Sequence, residues 1–416
     1  MPKDIKKMYK TIMDDNFPSK MEISFVEKNK RQTLFYEKVS WVIDKVNKGL
    51  RYGENPGQMA AMYKLVNGNL LLSDARTIEH GKYLVSDIQL LQSGKHPGKT
   101  NLTDADNALN ILRYFSDTPC VVIVKHNNPC GVAKDKSLEQ AYLKAYMADR
   151  VAAFGGCIAI NKALDKATAQ AIASQYAEVI VAPEFEEGTL DILKQRKNLR
   201  VIQINNIYKL KNFIGERVVD FKSLMDGAIV AQWSFVPKTL SRKNLTLASS
   251  EHKNKIYSIN RTPKPCEYED MLFGWLIESG ITSNSIIYVK DGVTIGIGTG
   301  EQDRVGVAQI AIDKAYRKLA DKYCFERHNI GFADLTDKDK KAQIEKDVQK
   351  NKGNLIGSAM ISDAFFPFRD GVDVGLKHGV QAIIQPGGSL NDYHSIQACN
   401  ENNATMVYTG QRSFKH

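Results

Sequence analysis

The pattern of apolar and polar residues is most informative between residues 121 and 131. Residues 121–124 are all β-branched and predict a buried strand, which ends abruptly at Lys125 and His126. Residues 127–131 then predict a turn, because proline fixes φ and glycine adopts conformations that other residues avoid. The pattern therefore places a cation and a titratable imidazole side by side at the end of a buried strand.

Helix-like and strand-like segments alternate along the rest of the chain. Residues 104–116 carry apolar positions at helical spacing and lead directly into the strand at 121–124. Both halves of the chain repeat a helix, a buried strand and a glycine-containing polar loop, which is typical of an α/β protein. Further helices are predicted over residues 137–149, 164–176 and 269–278, and a further buried strand over 178–183.

The length predicts more than one domain, because 416 residues exceed what a single hydrophobic core organises. Residues 1–50 are charged and are predicted to form an N-terminal helical segment. Residues 51–236, which include the Lys-His loop, are predicted as a first domain. A stretch rich in lysine, serine and proline at 237–266 is the predicted linker, and residues 267–416 are the predicted second domain.

The composition predicts a globular cytoplasmic protein. Hydrophobic residues make up 43% of the chain and charged residues 25%, and no apolar run is long enough for a membrane span. No hydrophobic signal core follows the N-terminus, so export is not expected. The six cysteines form no CxxC pair, which argues against a disulfide framework and against a zinc cluster.

A formal net charge of +10 is compatible with nucleic acid or with small anionic ligands such as phosphates and polycarboxylates. Many lysines lie in helical stretches that also carry acids, for example residues 337–352, and such stretches are usually solvated faces. There is no RNP-like motif, zinc finger or basic stripe interleaved with aromatic residues. Nucleic-acid binding is therefore not expected.

Three short motifs resemble known sites but lack a required feature. The segment 94–100 has only three residues between its glycines, and Pro97 would remove an amide donor from a phosphate loop. The glycines at 296–300 do not follow the dinucleotide-binding spacing. Cys130 follows a proline, but no CxxC partner or HxE motif accompanies it, so the zinc-deaminase ligands are missing.

The Lys125-His126 pair has two interpretations on position alone. In open α/β sheets ligands gather at the carboxyl ends of strands, where this pair could supply a general base and an electrostatic stabiliser. Alternatively, both side chains simply cap the strand and point to water. Arg51, in a loop rich in glycine and proline, suits a phosphate or carboxylate, but it is equally compatible with an exposed arginine in a surface turn.

Four motifs, in this order, resemble those of the AICAR transformylase family, the formyltransferase portion of a bifunctional purine-biosynthesis enzyme. They are Arg-Tyr-Gly-x-Asn-Pro at 51–56, Lys-His-x-Asn-Pro-Cys-Gly at 125–131, Ser-Asp-Ala-Phe-Phe-Pro-Phe-x-Asp at 362–370 and Arg-x-Phe-x-His at 412–416. The cyclohydrolase domain that precedes this part in the bifunctional form has no counterpart. A stand-alone transformylase without cyclohydrolase activity is therefore expected.

The resemblance implies transfer of a formyl group from 10-formyltetrahydrofolate to the 5-amino group of AICAR, giving FAICAR and tetrahydrofolate in purine biosynthesis. An aromatic amine conjugated with a carboxamide is a poor nucleophile and must lose a proton as it attacks. By resemblance, His126 is the general base and Lys125 stabilises the oxyanion on the formyl carbon.

The resemblance also implies which residues bind each ligand. The residues that match AICAR-binding positions are Arg51, Tyr52, Gly155, Glu178, Asn284, Arg304, Asp370 and Arg412, and Glu178 is aspartate in some members. The residues that match folate-binding positions are Val305, Phe365, Ser389 and Leu390. Phe365 would give the pterin a flat apolar wall, although packing in the core is an alternative role for it.

The fold implied by the resemblance is two tandem cytidine-deaminase-like α/β/α domains without the zinc site. Family members are homodimers with sites at the subunit interface, so a homodimer is expected. Some members hold a monovalent cation such as potassium, and Asp363 would be its ligand.

Two other functions remain open at this point. One is a related formyltransferase that uses another donor or amine substrate. The other is a nucleic-acid-binding or nucleotide-sensing protein that exploits the positive charge. The missing zinc ligands exclude a deaminase.

Overall fold

The computed structural model describes residues 11–416 except residues 13, 44, 56, 73–74 and 77–81. The helices of this described part are α1 (Lys99–Leu112), α2 (Leu138–Ala148), α3 (Arg150–Ala153), α4 (Lys166–Ala173), α5 (Thr189–Lys194), α6 (Pro265–Glu278), α7 (Arg304–His328), α8 (Lys338–Lys350), α9 (Asp370–Lys377) and α10 (Asp392–Glu401). None of these helices is long and apolar enough to cross a membrane.

The strands of the described part alternate with these helices. They are β1 (Lys20–Glu27), β2 (Lys30–Lys38), β3 (Trp41–Ile43), β4 (Val46–Lys48), β5 (Tyr63–Gly68), β6 (Leu71–Leu72), β7 (Ala75–Arg76), β8 (Gln89–Gln92), β9 (Cys120–Lys125), β10 (Asn128–Lys134), β11 (Cys157–Ile160), β12 (Val179–Ala182), β13 (Arg200–Gln203), β14 (Val219–Ser223), β15 (Ile229–Trp233), β16 (Thr246–Leu247), β17 (Ser249–His252), β18 (Lys255–Ser258), β19 (Ile286–Lys290), β20 (Val293–Gly298), β21 (Ala359–Ser362), β22 (Ala382–Gln385) and β23 (Thr405–Tyr408).

The chain divides into two compact units whose segments interleave. Unit 1 consists of Met1–Ser116 and Gly155–Val236, and unit 2 of Asp117–Phe154 and Pro237–His416. The boundary at 236 lies where the predicted linker begins. The Lys-His segment, which the sequence assigned to the first half, instead packs within unit 2.

Hydrogen bonds to β20 and the turn before it explain why the Lys-His segment packs within unit 2. Strand β10 pairs antiparallel with β20, and the amide of Lys134 donates to the carbonyl of Gly292 at 3.1 Å. The amide of Val132 also donates to the hydroxyl of Thr294 at 3.0 Å. These contacts join the Lys-His segment to strands that follow it by more than 150 residues.

In unit 1, parallel strands β11, β12 and β13 are continued by antiparallel β8. Strand β12 is buried over its full length, as expected for a strand covered on both faces. Helices α1 and α4 belong to the same unit and carry buried apolar residues on one face. The helix predicted over 104–116 is confirmed, although it begins at Lys99 and ends at Leu112.

The prediction that residues 1–50 are helical is wrong for the described residues between Lys20 and Lys48, whereas residues 1–10, 13 and 44 lie outside the described part of the chain. Strands β1 and β2 form a hairpin there, β5 adds a third antiparallel strand, and β3 and β4 form a second hairpin. In β1 the half-buried residues Met21, Ile23 and Phe25 alternate with Lys20 and other polar residues, which is the period of a strand. That alternation outweighs the charged composition on which the helical prediction rested.

In unit 2 the strands lie in the order β16-β23-β22-β21-β19-β20-β10-β9. Strands β21, β22 and β23 are parallel, and the other neighbours in this order are antiparallel. Strand β16 comes from the predicted linker at 237–266, so that stretch is partly ordered within unit 2. Both units combine helices with mixed sheets, which confirms the α/β class.

Two glycines let helices lie directly on the strands of unit 2. A Cβ atom on Gly131 in β10 would lie 2.0 Å from the carbonyl oxygen of Ala145 in α2. A Cβ atom on Gly296 in β20 would lie 2.3 Å from the carbonyl oxygen of Ala311 in α7. Gly296 therefore has a packing role, which agrees with its poor match to a dinucleotide-binding loop.

The close approach of α2 to β10 generates a stability prediction. We expect Gly131→Ala to lower the free energy of unfolding by about 1–3 kcal/mol or more, because helix and strand must separate to admit the methyl group. Urea denaturation measures the change. Gly49→Ala is the control, since its added Cβ would come no closer than 3.4 Å to Asp15, and an equal loss in both variants would contradict the packing argument.

Candidate functional site

The Lys-His pair lies at the tip of a tight hairpin. Strand β9 ends at Lys125 and β10 begins at Asn128, directly opposite in the antiparallel register. His126 and Asn127 form the two-residue turn, with φ angles of 53° and 60°. Two successive left-handed residues are characteristic of a type I′ turn, the connection that matches the twist of a hairpin. The side chain of His126 is exposed at this tip.

The predicted loop over 127–131 is therefore shorter than expected. Pro129 and Gly131 lie within β10, where the pairing register shifts between them. Cys130 is the extra residue of this bulge, and bulges accommodate a proline within a paired strand. Turn-forming residues were recognised correctly, but the strand resumes after two residues.

Hydrogen bonds fix the hairpin tip within unit 2. The Nζ atom of Lys125 donates to the carbonyl of Phe154 at 2.8 Å. The side-chain oxygen of Asn128 accepts from the amide of Thr282 at 2.9 Å and from the hydroxyl of Thr299 at 3.1 Å. The Nζ atom of Lys415, in the C-terminal motif, donates to the carbonyl of Asn127 at 3.3 Å. The second and fourth sequence motifs therefore meet at this turn.

A cavity of about 260 Å³ opens beside the turn and is lined by both Lys125 and His126. Lys314 and Lys318 of α7 also line it, one helical turn apart and therefore on the same face. Lys318 forms an ion pair with Asp149. Burial lowers the pKa of Lys314, and the nearby charge of Lys318 lowers it further, although Asp149 opposes the change. Such a surrounding favours negatively charged groups.

A buried ion pair organises the neighbouring loops. The guanidinium of Arg304 is bound to the carboxylate of Asp363, and the two side chains are 8% and 0% exposed. Arg304 also donates to the side-chain oxygen of Asn284 at 2.7 Å and to the carbonyl of Ser285 at 3.2 Å. The other carboxylate oxygen of Asp363 accepts from the hydroxyl of Ser283. Arg304 and Asn284, both predicted to bind substrate, are therefore in direct contact.

The arrangement around Asp363 bears on the expected monovalent cation. Both carboxylate oxygens are already bound, one by the positive charge of Arg304 and one by Ser283. A potassium ion at this carboxylate would face the guanidinium directly, so these residues do not fit the ion in this arrangement. In the described residues no group of three or more His, Cys, Asp or Glu side chains is placed to hold a metal.

A second buried acid lies beside this ion pair. Glu278 is fully buried, and its Oε2 atom accepts from the hydroxyl of Ser285 at 2.5 Å. Burial raises the pKa of Glu278 well above its usual value, and the negative charge of Asp363 raises it further. The surroundings of Glu278 therefore favour its neutral, protonated form.

The residues matched to folate positions have accessible side chains. Phe365 is 42% exposed, whereas its neighbour Phe366 is completely buried. Phe366, and not Phe365, therefore packs in the core, and the ring of Phe365 is accessible to a ligand. Leu390 is 91% exposed, and Val305 is half-buried at the start of α7. The hydroxyl of Ser389 accepts from the amide of Asn391 at 3.2 Å.

The two remaining nucleotide positions in unit 2 are also exposed. Asp370 is the first residue of α9, and its carboxylate accepts from the amide of Gly371 at 2.8 Å. The guanidinium of Arg412 lies 4.7 Å from the ring centroid of Phe414. Stacking on an aromatic ring limits the positions that the guanidinium adopts and leaves its donors available.

Arg51 is buried in unit 1, so its interpretation as an exposed surface arginine is wrong. Its side chain is 6% exposed, and the guanidinium lies 4.4 Å from the ring centroid of Tyr52. Its backbone amide donates to the carbonyl of Pro97 at 3.1 Å and its side chain to that of Lys95 at 3.3 Å. The segment 94–100, which resembles a phosphate loop, therefore positions Arg51.

Glu178 and Gly155 also lie together in unit 1. Gly155 has a φ angle of 77°, and its amide donates to the carbonyl of Tyr176 at 2.9 Å. The carboxylate of Glu178 accepts from Arg200 at 3.2 Å and from the side chain of Asn101 at 3.3 Å. Burial lowers the pKa of Arg200, which is only 1% exposed, while Glu178 opposes that change.

The predicted substrate residues thus divide between the two units. Arg51, Tyr52, Gly155 and Glu178 belong to unit 1, and all the other predicted site residues belong to unit 2. Sequence reasoning missed Arg200 and the lysines of α7. The position of Arg200 as a single charged residue at the start of the buried strand β13 could have indicated its role. The four-residue spacing of Lys314 and Lys318 could have indicated that they share one face of a helix. They were missed because charged helical stretches were interpreted as solvated faces.

The chain resembles a known protein family over most of its length. Residues 9–314 match the model of the family described as AICARFT/IMPCHase bienzyme. A bifunctional purine biosynthesis protein PurH from Magnetococcus marinus is 36% identical over 395 residues, which cover 95% of this chain and 64% of that protein. The protein of the same name from Buchnera aphidicola is 34% identical over 96% of this chain and 61% of its own length. The chain thus spans less than two thirds of these relatives.

The raised pKa of Glu278 generates a pH prediction. The folded protein releases this proton at a higher pH than the unfolded chain, in which Glu278 has its usual pKa of 4.5. Stability therefore falls as pH rises above that value, by up to about 1.4 kcal/mol per pH unit. The Glu278→Gln variant lacks this titrating group, so the loss of stability with rising pH should be smaller in the variant. We therefore expect the free energy of unfolding of the variant, minus that of wild type, to increase from pH 5 to pH 8. Urea denaturation at four pH values measures the difference.

Glu269→Gln is the control, because Glu269 lies on the exposed face of the same helix. Its difference from wild type should stay constant over this pH range. A Glu278→Gln profile parallel to that of wild type would show that Glu278 does not retain its proton in the folded protein.

Proposed function

The chain belongs to the AICARFT/IMPCHase bienzyme family, and from this premise we propose that it transfers a formyl group from 10-formyltetrahydrofolate to the 5-amino group of AICAR. The products are FAICAR and tetrahydrofolate, which makes the chain an enzyme of purine biosynthesis. The observation that carries the proposal is the exposed Lys125-His126 turn beside a cavity lined by further lysines.

The proposed reaction forms one carbon–nitrogen bond and breaks another. The 5-amino nitrogen of AICAR attacks the formyl carbon, and His126 accepts the proton that this nitrogen loses. The ammonium of Lys125 stabilises the negative charge that develops on the formyl oxygen. The bond from the formyl carbon to N10 of the folate then breaks, and N10 takes up a proton.

The positions of both side chains support these roles. The hairpin turn holds His126 at an exposed tip, so an amine can approach its imidazole. The hydrogen bond from Lys125 to the carbonyl of Phe154 orients the ammonium without neutralising its charge. A carbonyl acceptor is weaker than a carboxylate, so the ammonium remains able to stabilise an oxyanion.

The proposal assigns the nucleotide to two sets of residues. Asn284 offers a donor and an acceptor to the carboxamide and is positioned by Arg304. Asp370 and Arg412 supply an exposed acceptor and an exposed cation. In unit 1 the assigned residues are Arg51, Tyr52, Gly155 and Glu178. For folate, the assigned residues are Val305, Phe365, Ser389 and Leu390.

The proposal includes the family architecture. We propose that the two units are cytidine-deaminase-like layers and that the active protein is a homodimer with its sites at the subunit interface. Analytical ultracentrifugation of the full chain, combined with activity measured over the same concentrations, tests the second statement. A monomer with full activity would contradict it.

The proposed general base generates a kinetic prediction. We expect His126→Asn to lower the rate of formyl transfer by about 10²–10⁴-fold, because the attacking amine loses its proton acceptor. Asparagine is the suitable replacement, since it tolerates the left-handed backbone of this turn better than most residues. The assay is steady-state release of tetrahydrofolate from AICAR and 10-formyltetrahydrofolate, with direct detection of the formylated product.

His328→Asn, the same change at the end of α7, is the control and should retain wild-type activity. Turnover of His126→Asn within tenfold of wild type would exclude His126 as the base. A folded wild-type protein without turnover would exclude AICAR transformylation, and other amines and formyl donors would then be tested with the same assay.

A further inference from the structure

A buried arginine, Arg200, lies behind the residues of unit 1 that are proposed to bind the nucleotide. It is the first residue of the buried strand β13, and its side chain is 1% exposed, whereas that of its partner Glu178 is 35% exposed. Glu178 can therefore face a ligand, but Arg200 is too deeply buried to touch one. Because burial of a guanidinium is costly unless its donors find partners, the groups that Arg200 binds indicate its role.

Arg200 fixes the orientation of Glu178. Its Nη1 atom donates to the Oε2 atom of Glu178 at 3.2 Å and to the backbone carbonyl of the same residue at 3.4 Å. The Oε2 atom also accepts from the side chain of Asn101 at 3.3 Å. A carboxylate whose oxygen is bound by two donors is limited to few orientations, as a preorganised binding group requires.

The other donors of Arg200 bind a different segment of unit 1. Its Nε and Nη2 atoms donate to the backbone carbonyl of His96 at 3.4 Å and 3.2 Å. The φ angle of His96 is 59°, which lies in the left-handed region. A residue other than glycine keeps such a conformation only where its surroundings hold it there, and Arg200 is part of those surroundings.

The loop around His96 in turn positions Arg51. The carbonyl of Lys95 accepts from the Arg51 guanidinium at 3.3 Å, and the carbonyl of Pro97 accepts from the Arg51 amide at 3.1 Å. The Nε2 atom of His96 donates to the carbonyl of Gly49 at 2.7 Å, two residues before Arg51. The loop that Arg200 binds therefore contacts the Arg51 segment at three points.

The shape of the guanidinium is what allows one side chain to serve both segments. A guanidinium is planar and carries five donors in a fixed arrangement, whereas the ammonium of lysine is a single point with three donors. Glu178 and His96 are bound by different nitrogens of Arg200. A lysine at this position would keep the positive charge but would not span the two sets of acceptors.

We propose that Arg200 is a positioning residue that couples Arg51 to Glu178, so that both are preorganised for the nucleotide. The inference rests on the proposed function and deepens it, because it takes both side chains to contact AICAR. Preorganisation reduces the cost of ordering these side chains when the ligand binds. All the residues of this coupling belong to unit 1.

The test is Arg200→Lys, with the affinity for AICAR measured by isothermal titration calorimetry of the full chain. We expect the Kd for AICAR to rise about tenfold, the size of effect given by one lost hydrogen bond to a charged group. The KM for 10-formyltetrahydrofolate should not change, because the residues proposed to bind folate belong to unit 2.

Arg196→Lys is the matched control in the same unit. The guanidinium of Arg196 donates to the carbonyl of Ala173 at 2.5 Å, a single acceptor that lysine can also bind, so this variant should keep the wild-type Kd. An unchanged Kd in Arg200→Lys would overturn the proposal. Equal losses for AICAR and folate would also overturn it, since they would indicate a general loss of structure.

A double variant tests whether Arg200 acts through Glu178. Glu178→Gln removes the charge that Arg200 orients, so Arg200→Lys should weaken AICAR binding less in this background than in the wild type. The combined loss of affinity should therefore be smaller than the product of the two single losses. A combined loss equal to that product would show that the two residues act independently, which contradicts the coupling.

Failure of the proposed function has a different signature, because the wild type would then neither bind AICAR nor transfer a formyl group. Hydrogen exchange of the full chain, followed by mass spectrometry, tests the coupling without a ligand. The amides of His96 and Arg51 donate to the carbonyls of Ser93 and Pro97. Peptides that contain these amides should exchange faster in Arg200→Lys than in wild type or Arg196→Lys. Equal exchange in all three proteins would refute the positioning role.

Discussion

The buried ion pair between Arg304 and Asp363 is the interaction on which the loops of unit 2 depend. It joins the start of α7 to the end of β21, and through Asn284 and Ser285 it also holds the segment before β19. The carbonyl of Asp363 accepts from the amide of Ser413, so the C-terminal motif is attached to the same point. Loss of one partner would leave an uncompensated buried charge, which typically costs about 3–5 kcal/mol.

This ion pair also explains why segments that are distant in the sequence lie together in unit 2. Several segments meet at this pair. Asn284 accepts a hydrogen bond from Arg304, and Arg304 is paired with Asp363. Arg412 directly precedes Ser413, whose amide donates to the carbonyl of Asp363. The Lys-His turn joins the same assembly through Asn128 and Thr282. A polar network of this kind is costly to bury unless its donors and acceptors find partners, so its geometry is strongly specified.

Much of the architecture could be predicted from local patterns. Runs of β-branched residues identified the buried strands, and helical spacing identified α1, α2, α4 and α6, because burial imposes those periods directly. The N-terminal strands were missed because a charged composition was given more weight than the alternation around Ile23. Burial of Arg51 could not be predicted either, since it depends on contacts with a separate segment around Pro97.

The candidate site was predictable only in part, for a physical reason. Lys125 and His126 are adjacent in the sequence, so a strand followed by a turn was sufficient to identify them. Lys314 and Lys318 reach the same cavity only because α7 packs on β20 at Gly296. Helix packing of that kind depends on tertiary structure, and no local spacing rule reveals which face of a charged helix lines a cavity.

The interleaving of the two units has a consequence for synthesis of the protein on the ribosome. The hairpin that carries Lys125 and His126 is made early, but its neighbour β20 follows it by 162 residues between Val132 and Thr294. At translation rates of about 5–20 residues per second, β20 is synthesised on the order of 10–30 seconds after β10. Throughout that interval the backbone N–H and C=O groups on this edge of β10 lack their partners in β20, and unpaired strand edges promote the aggregation that molecular chaperones counteract.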